Sequence, residues 1–213
     1  MGLARPALAR VPGIGFWKLC GSGTGEGFTP LPNTAVYAIL ATWPGRVAAE
    51  TGLQAPVFRR YRARAAEHWT VFLETTSARG QWSGREPFAA DATPQGAVVA
   101  LTRATIRPSK LLRFWARGPA ISSRIGADPN VIFKIGIGEV PWLHQVTFSI
   151  WPDSVSMAEF ARRDGPHASA IRAVREGGWF SEELYARFRI AASDGAWEGG
   201  DPLAALAGRQ VPA

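Results

Sequence analysis

Cysteine is nearly absent from this 213-residue sequence, where Cys20 stands alone. A single thiol forms no intramolecular disulfide and builds no multi-cysteine zinc or iron–sulfur site, and a reducing cytoplasm is its simplest home. Histidine is scarce too. His68, His144 and His167 lie far apart, without HxH or HExxH spacing, which argues against a mononuclear zinc centre. Lysine supplies only three of the 24 basic residues, so the net charge of +7 rests on scattered arginines that never gather into a polybasic run. That pattern argues against a nucleic-acid groove, while a basic surface of this kind suits anionic lipid head groups. No apolar stretch approaches the ~20 residues that a spanning helix needs, and no signal-peptide pattern opens the chain. The sequence therefore reads as a soluble protein, or one that sits peripherally on an inner or intracytoplasmic membrane.

Aromatic residues are plentiful, with nine Trp and eleven Phe in a chain of ordinary globular composition, 46% hydrophobic and 19% charged. Such a supply fits thick aromatic cores or a cavity for a flat or long apolar ligand. In chain order, residues 2–12 read as a helical fragment stopped by Pro12-Gly13, and 15–21 as a short strand. The glycine-rich GSGTGEGF follows, then a clear strand from Ala35 to Trp43. A helix with an arginine-rich face covers about 47–67, interrupted near Gly52 and restarted at Pro56. WTVFLETT (69–76) is a strand by its β-branched and aromatic content, and the polar 77–96 is a linker. The second half runs strand (98–106), helix (109–125), strand (131–138), strand (144–151), broken helix pair, strand, then a tail. That order is βαββαβ, the ferredoxin-like unit.

The two halves repeat one another. FWKL (16–19) matches IFKI, which puts Lys18 level with Lys134; VYAILATWPG matches VTFSIWPD, and ARGQW matches SDGAW. The expected fold is α+β, a duplicated ferredoxin-like unit of the dimeric α+β barrel type with two four-stranded antiparallel sheets. Residues 1–92 form the first half, 97–200 the second half with the site, and 201–213 a tail. The fifteen residues before Phe16 leave no room for the strand that opens the second half, so the first half is expected to lack its first strand, as from a start at an internal methionine.

One stretch of the second half carries a candidate ligand. MAEFARR breaks at Gly165-Pro166, and a second helical run places His167 in its first turn, ahead of Ala170, Ile171 and Val174 on one apolar stripe. A helix N-terminus disfavours added positive charge, which keeps an imidazole neutral and able to bind a metal. In the first half Val57 takes the matching place. Haem needs only one protein ligand and an apolar, aromatic-lined slot, so one inward histidine is enough. His144 is the alternative, on the Val146, Phe148, Ile150 face of its strand. His68 sits at a helix–strand junction, and Cys20 lacks the surroundings of a P450 thiolate loop. Phe133, Phe148 and Trp151 are candidate cavity lining. The glycines at 21, 23, 25 and 27 match neither GxGxxG nor a P-loop, and Ser169 beside His167 lacks a nucleophile elbow.

FWKLCGSGTGEGFTPLPN, ILATWP, VALTRATIR, FWARGPAISSRIG, VIFKIGIGEVPWLHQVTFSIWPDSVSMAEFAR and AIRAVREGGWFSEELYARFRI together resemble the spheroidene monooxygenase family, carotenoid-oxidising enzymes of purple photosynthetic bacteria. The resemblance spans essentially the whole chain. It implies oxygenation of an acyclic carotenoid at C2, giving a 2-keto product through a hydroxylated intermediate in carotenoid biosynthesis. It also implies haem b, molecular oxygen and electrons from a ferredoxin-type donor. Members carry an extra amino-terminal strand. In architecture the chain is similar to the chlorite dismutase and dye-decolorising peroxidase groups, whose proximal histidine lies on a helix of the carboxy-terminal unit, the place of His167. A homo-oligomer is compatible with this fold. Two readings of other classes stand beside it: a cofactor-independent monooxygenase of the antibiotic-biosynthesis type, and a non-catalytic haem or carotenoid carrier.

Overall fold

Alternating β-branched and aromatic residues build the strands of the chain. The computed structural model describes residues 4–25, 27, 29–116, 128–162 and 177–207. Helix α1 (Arg5–Leu8) leads into β1 (Trp17–Gly23) and β2 (Pro32–Ala41), and α2 (Arg46–Gly52) and α3 (Pro56–Arg62) into β3 (Trp69–Gly80). The second half supplies β4 (Val98–Ile106), β5 (Phe133–Gly138), β6 (His144–Trp151), α4 (Ser154–Arg162) and β7 (Phe180–Gly195), before a final turn, α5 (Ala204–Ala207). Pro56 opens α3 at a position where its missing N–H costs nothing. Gly52 closes α2 against Trp43, where a Cβ would stand 2.2 Å from the indole ring.

The seven strands form one antiparallel sheet in the order β2-β1-β5-β6-β4-β7-β3. Within it, β5-β6-β4-β7 has the order of a complete ferredoxin-like unit. The halves are joined into this single sheet at two seams. Gly21 and Ser22 of β1 pair with Gly138 and Ile137 of β5, and β3 pairs along its length with β7. By the same order, a first strand of the first half would fall between β2 and β3, the two edges; no strand lies there among the described residues.

One face of the sheet is the main core. Val99, Leu101, Val146, Ile150, Leu184, Ala186 and Phe188 are buried there, and Leu40 of β2 and Leu73 of β3 join the same cluster. Strands from opposite edges share one core only if the sheet curls, so this face is concave. On the convex face, Leu19, Phe58, Val57, Leu8 and Val11 pack α1 to α3 on the first half, while Trp151, Val98, Met157 and Phe160 pack α4 on the second.

The duplication is explicit in two matching turns. After β3, Ser83 and Gly84 donate their N–H groups to Glu182 at 2.9 and 2.7 Å. After β7, Glu198 and Gly199 donate theirs to Glu67 at 2.7 and 3.0 Å. Register corrects one detail of the sequence alignment. Lys18 pairs with Leu40 on the concave face, whereas Lys134 pairs with Ser149 on the convex face. Side chains alternate with a period of two, so a one-residue slip in matching the halves exchanges the faces. The two lysines are not equivalent.

Candidate functional site

At one end of the concave face a buried carboxylate gathers three partners. Gly138 ends β5 so close to the next strand that a Cβ there would stand 2.1 Å from the His144 carbonyl oxygen, and this tight approach sets Glu139 beside His144. Glu139 accepts from Trp82 Nε1 at 2.8 Å and pairs with Lys18 Nζ at 2.8 Å. His144 Nδ1 lies 3.3 Å from Oε2, within ion-pair reach but off the line of a hydrogen bond. Burial alone would push the Glu139 carboxyl up; contacts from His144, Lys18 and Trp82, with the Lys18 charge, outweigh it and bring it down to about 2. So low a value keeps Glu139 ionised and unsuited to general acid–base work at neutral pH.

The surroundings of this carboxylate are also ionic and aromatic. Lys18 Nζ donates to Ser83 Oγ at 2.6 Å and stands over the rings of Phe16 and Trp82. Arg103 is 1% exposed, pairs with Glu182, and holds its guanidinium 5.7 Å from the centre of Trp82. Burial opposes ionisation of Glu182, but the Gly84 and Ser83 N–H groups and Arg103 keep its carboxyl below the usual range. Cys20, fully buried on the same face, has its thiol pushed up to about 12, first by burial and then by Glu139. It remains a protonated thiol at neutral pH, without the reactivity of a thiolate.

The convex face of the second half differs from that of the first. Where Leu19, Ile39 and Trp17 meet α1 to α3, the second half presents Thr102 and Ala104 on β4 and Gln145, Thr147 and Ser149 on β6. Ala104 and Ser149 are buried, Thr102 is exposed, and Gln145 Nε2 is buried with no hydrogen-bond partner among the described residues. These small or polar side chains do not form a solid apolar layer. Elsewhere, a cleft of about 380 Å³ is lined by Arg46, Glu74, Gln95, Arg189, Ile190 and Ala191. Its arginines are matched by Glu50 and Glu74, so it is a poor slot for an apolar ligand.

Of the residues singled out from sequence, His167 lies outside the described residues. His144 is on the concave face at the rim, held beside Glu139. Phe133 and Phe148 come together on the same face but toward its other end, their rings 6.2 Å apart and T-shaped, with Trp69 and Trp197 also against Phe133. Trp151 is not with them: it is buried on the convex face, its ring tilted at 38° against that of Phe160, with its Nε1 donating to Ser149 Oγ. His68 is partly exposed, 3.8 Å from Asp194. The glycine-rich turn folds onto β5, where Ser22 Oγ donates to the Gly136 carbonyl at 2.8 Å and Gly27 has no room for a Cβ. Among the described residues no group of three or more His, Cys, Asp or Glu is placed to hold a metal ion. Sequence reasoning missed Glu139, Trp82 and Arg103, because their cluster is assembled from distant segments without a local motif.

No protein-family model matches the chain. The spheroidene monooxygenase of Rhodobacter capsulatus is 54% identical over 209 residues, covering 96% of this chain and 87% of that protein. The spheroidene monooxygenase of Cereibacter sphaeroides is 54% identical over 200 residues, covering 91% of this chain; the chain spans 61% of that longer protein. Among solved structures, a Fusobacterium nucleatum protein provisionally named a monooxygenase aligns with a TM-score of 0.46 and 8% identity, over 93% of this chain and 84% of its own. With more than half of its residues identical along almost its full length, the chain belongs to the spheroidene monooxygenase family.

Proposed function

We propose that the chain oxygenates an acyclic carotenoid, spheroidene or a close relative, at C2, giving the 2-keto product through a hydroxylated intermediate. The observation that carries this reading is the 54% identity to a spheroidene monooxygenase across 96% of the chain. The reaction needs molecular oxygen and an external donor of the ferredoxin type: each turnover inserts one oxygen atom, releases the other as water and consumes two electrons. The C–H bond attacked is inert to side-chain acids and bases, and a bound haem b would supply the oxygen chemistry.

The residues present fit a haem on the convex face of the second half. Gln145 there holds a buried amide nitrogen with no hydrogen-bond partner among the described residues, and Thr102, Ala104 and Thr147 leave a floor of small side chains. In the first half, the cluster that fills the corresponding face includes Val57, the residue matched to His167. The segment after α4 carries His167, and α4 itself packs on this face through Met157 and Phe160. His167 is therefore the proposed proximal ligand, with His144 as the alternative. For His144, Glu139 at Nδ1 would fix the ring in the manner of the carboxylates that orient ligating imidazoles. The protein's remaining tasks are to exclude water and to hold a long polyene along apolar walls, with Phe133 and Phe148 as candidate lining. Work on such a substrate calls for peripheral contact with the inner or intracytoplasmic membrane from the cytoplasmic side, and a homo-oligomer is compatible with the fold.

The test is turnover by the purified protein with detergent-dispersed spheroidene, oxygen and a reduced ferredoxin. The expected result is a haem absorption band together with formation of the keto product. A colourless protein with full activity would favour the cofactor-independent reading. Bound pigment without electron-dependent turnover would favour a carrier.

A further inference from the structure

Among the described residues, four large apolar side chains stand out in water around one rim of the sheet. Leu112 is 87% exposed, Leu31 65%, Trp142 53% and Val140 40%. They come from three segments that are tied together. Trp142 Nε1 donates to the Pro30 carbonyl at 2.7 Å, next to Leu31 in the chain, and Trp115 Nε1 donates to the Trp142 carbonyl at 3.0 Å. Trp142 also has a φ of +68°, a left-handed conformation rare for a side chain of this size. Neither indole N–H is left without a partner, so the exposed parts of both rings are hydrocarbon. Arg107, Lys110 and Arg113 flank the patch in the segment that carries Leu112, and Arg107 and Arg113 are exposed.

We propose that this rim docks the protein on an anionic bilayer surface, with Trp142, Leu31, Val140 and Leu112 entering the interface and Arg107, Lys110 and Arg113 facing lipid phosphates. An apolar cluster with an indole at its centre and cations beside it has the composition of an interfacial anchor. Among the described residues no helix is long and apolar enough to cross a membrane. Among the described residues the apolar part of this rim is four side chains, a small anchor beside a stable dimer interface, which buries about 800 Å² per partner with roughly 20–30 residues a side. The physiological sense of the docking rests on the carotenoid reading, because that substrate dissolves in lipid. The docking itself is measurable without pigment or haem.

The experiment is flotation with phosphatidylcholine vesicles, with and without phosphatidylglycerol. The protein is expected to float with the anionic vesicles at low salt and to come off at about 0.5 M, where screening is strong. A Trp142→Ser/Leu112→Ser variant should bind at least about tenfold less well, since two large apolar groups lose their burial. Lys110→Gln/Arg113→Gln should lose only the phosphatidylglycerol-dependent part. Leu31→Ser, on a separate segment, provides an independent lesion whose folding is followed by circular dichroism, and it should weaken binding to a smaller degree. All of these variants should keep turnover of detergent-dispersed spheroidene, so failure of docking and failure of the carotenoid reading are told apart. Unchanged flotation of the Trp142→Ser/Leu112→Ser variant would overturn the proposal. So would sedimentation showing that this variant turns a dimer into a monomer.

Discussion

Glu139 shows how one side chain can join the two halves of a duplicated fold. Its partners Lys18 and Trp82 come from the first half, and His144 from the second. Because its folded value of about 2 lies below the ~4.3 of an unfolded glutamate, its contribution is fully present above about pH 5 and is lost as the pH falls toward 2. The size is on the order of 3 kcal/mol at neutral pH. Urea unfolding should therefore show stability falling steeply between about pH 4.5 and 2. Glu139→Gln should be less stable at pH 7, with a shallower acid limb over that interval; an identical acid limb in the variant would remove Glu139 from this role. Cys20 gives a complementary readout. A buried, protonated thiol should resist a thiol reagent in the native protein and react at once in denaturant.

Among the elements, the strands were legible in sequence where composition and burial agree. The boundaries of β4 and β6 follow directly from VVALTRATI and HQVTFSIW, whose alternate residues line the concave face. β3 extends beyond its sequence-based limit at residue 76, although Ser77 to Gly80 are small or polar residues with little strand preference of their own. They are extended because Ser77 pairs with Arg187 and Gly80 with Leu184, contacts that local sequence does not contain. The same limit hid the Glu139 cluster, while the turns carried a readable signal in ARGQW and SDGAW. Glycine requirements within those turns differ. Gly80 has φ +88° and a Cβ there would meet the Glu183 carbonyl oxygen at 2.2 Å, whereas Gly84 has φ +68° and open space. Gly80→Ala should cost more than about 2 kcal/mol in unfolding free energy, since backbone must shift. Gly84→Ala should cost only about 1 kcal/mol, the left-handed penalty alone. Equal losses would show that steric room is not what separates the two positions.

For the molecule as a whole, duplication gives two convex faces on one curled sheet, and their side chains differ. The first is closed by α1 to α3 through Leu8, Val11, Leu19 and Phe58; the second carries Thr102, Ala104, Gln145, Thr147 and Ser149. In the proposed function the second face is the one that takes the ligand, and the match of Val57 to His167 comes from the sequence repeat alone, since His167 lies outside the described residues. The face that each residue takes was less readable, as the split between Trp151 and the Phe133–Phe148 pair shows, because parity along a strand depends on register. The central claim is that this second face binds haem through His167. The absorption spectrum of the purified His167→Ala protein, recorded beside that of His144→Ala, tests it most directly. The expected result is loss or a strong shift of the Soret band in His167→Ala, partly restored by added imidazole, with the band intact in His144→Ala. Retention of the band in His167→Ala and its loss in His144→Ala would contradict the account and move the iron to the concave rim beside Glu139.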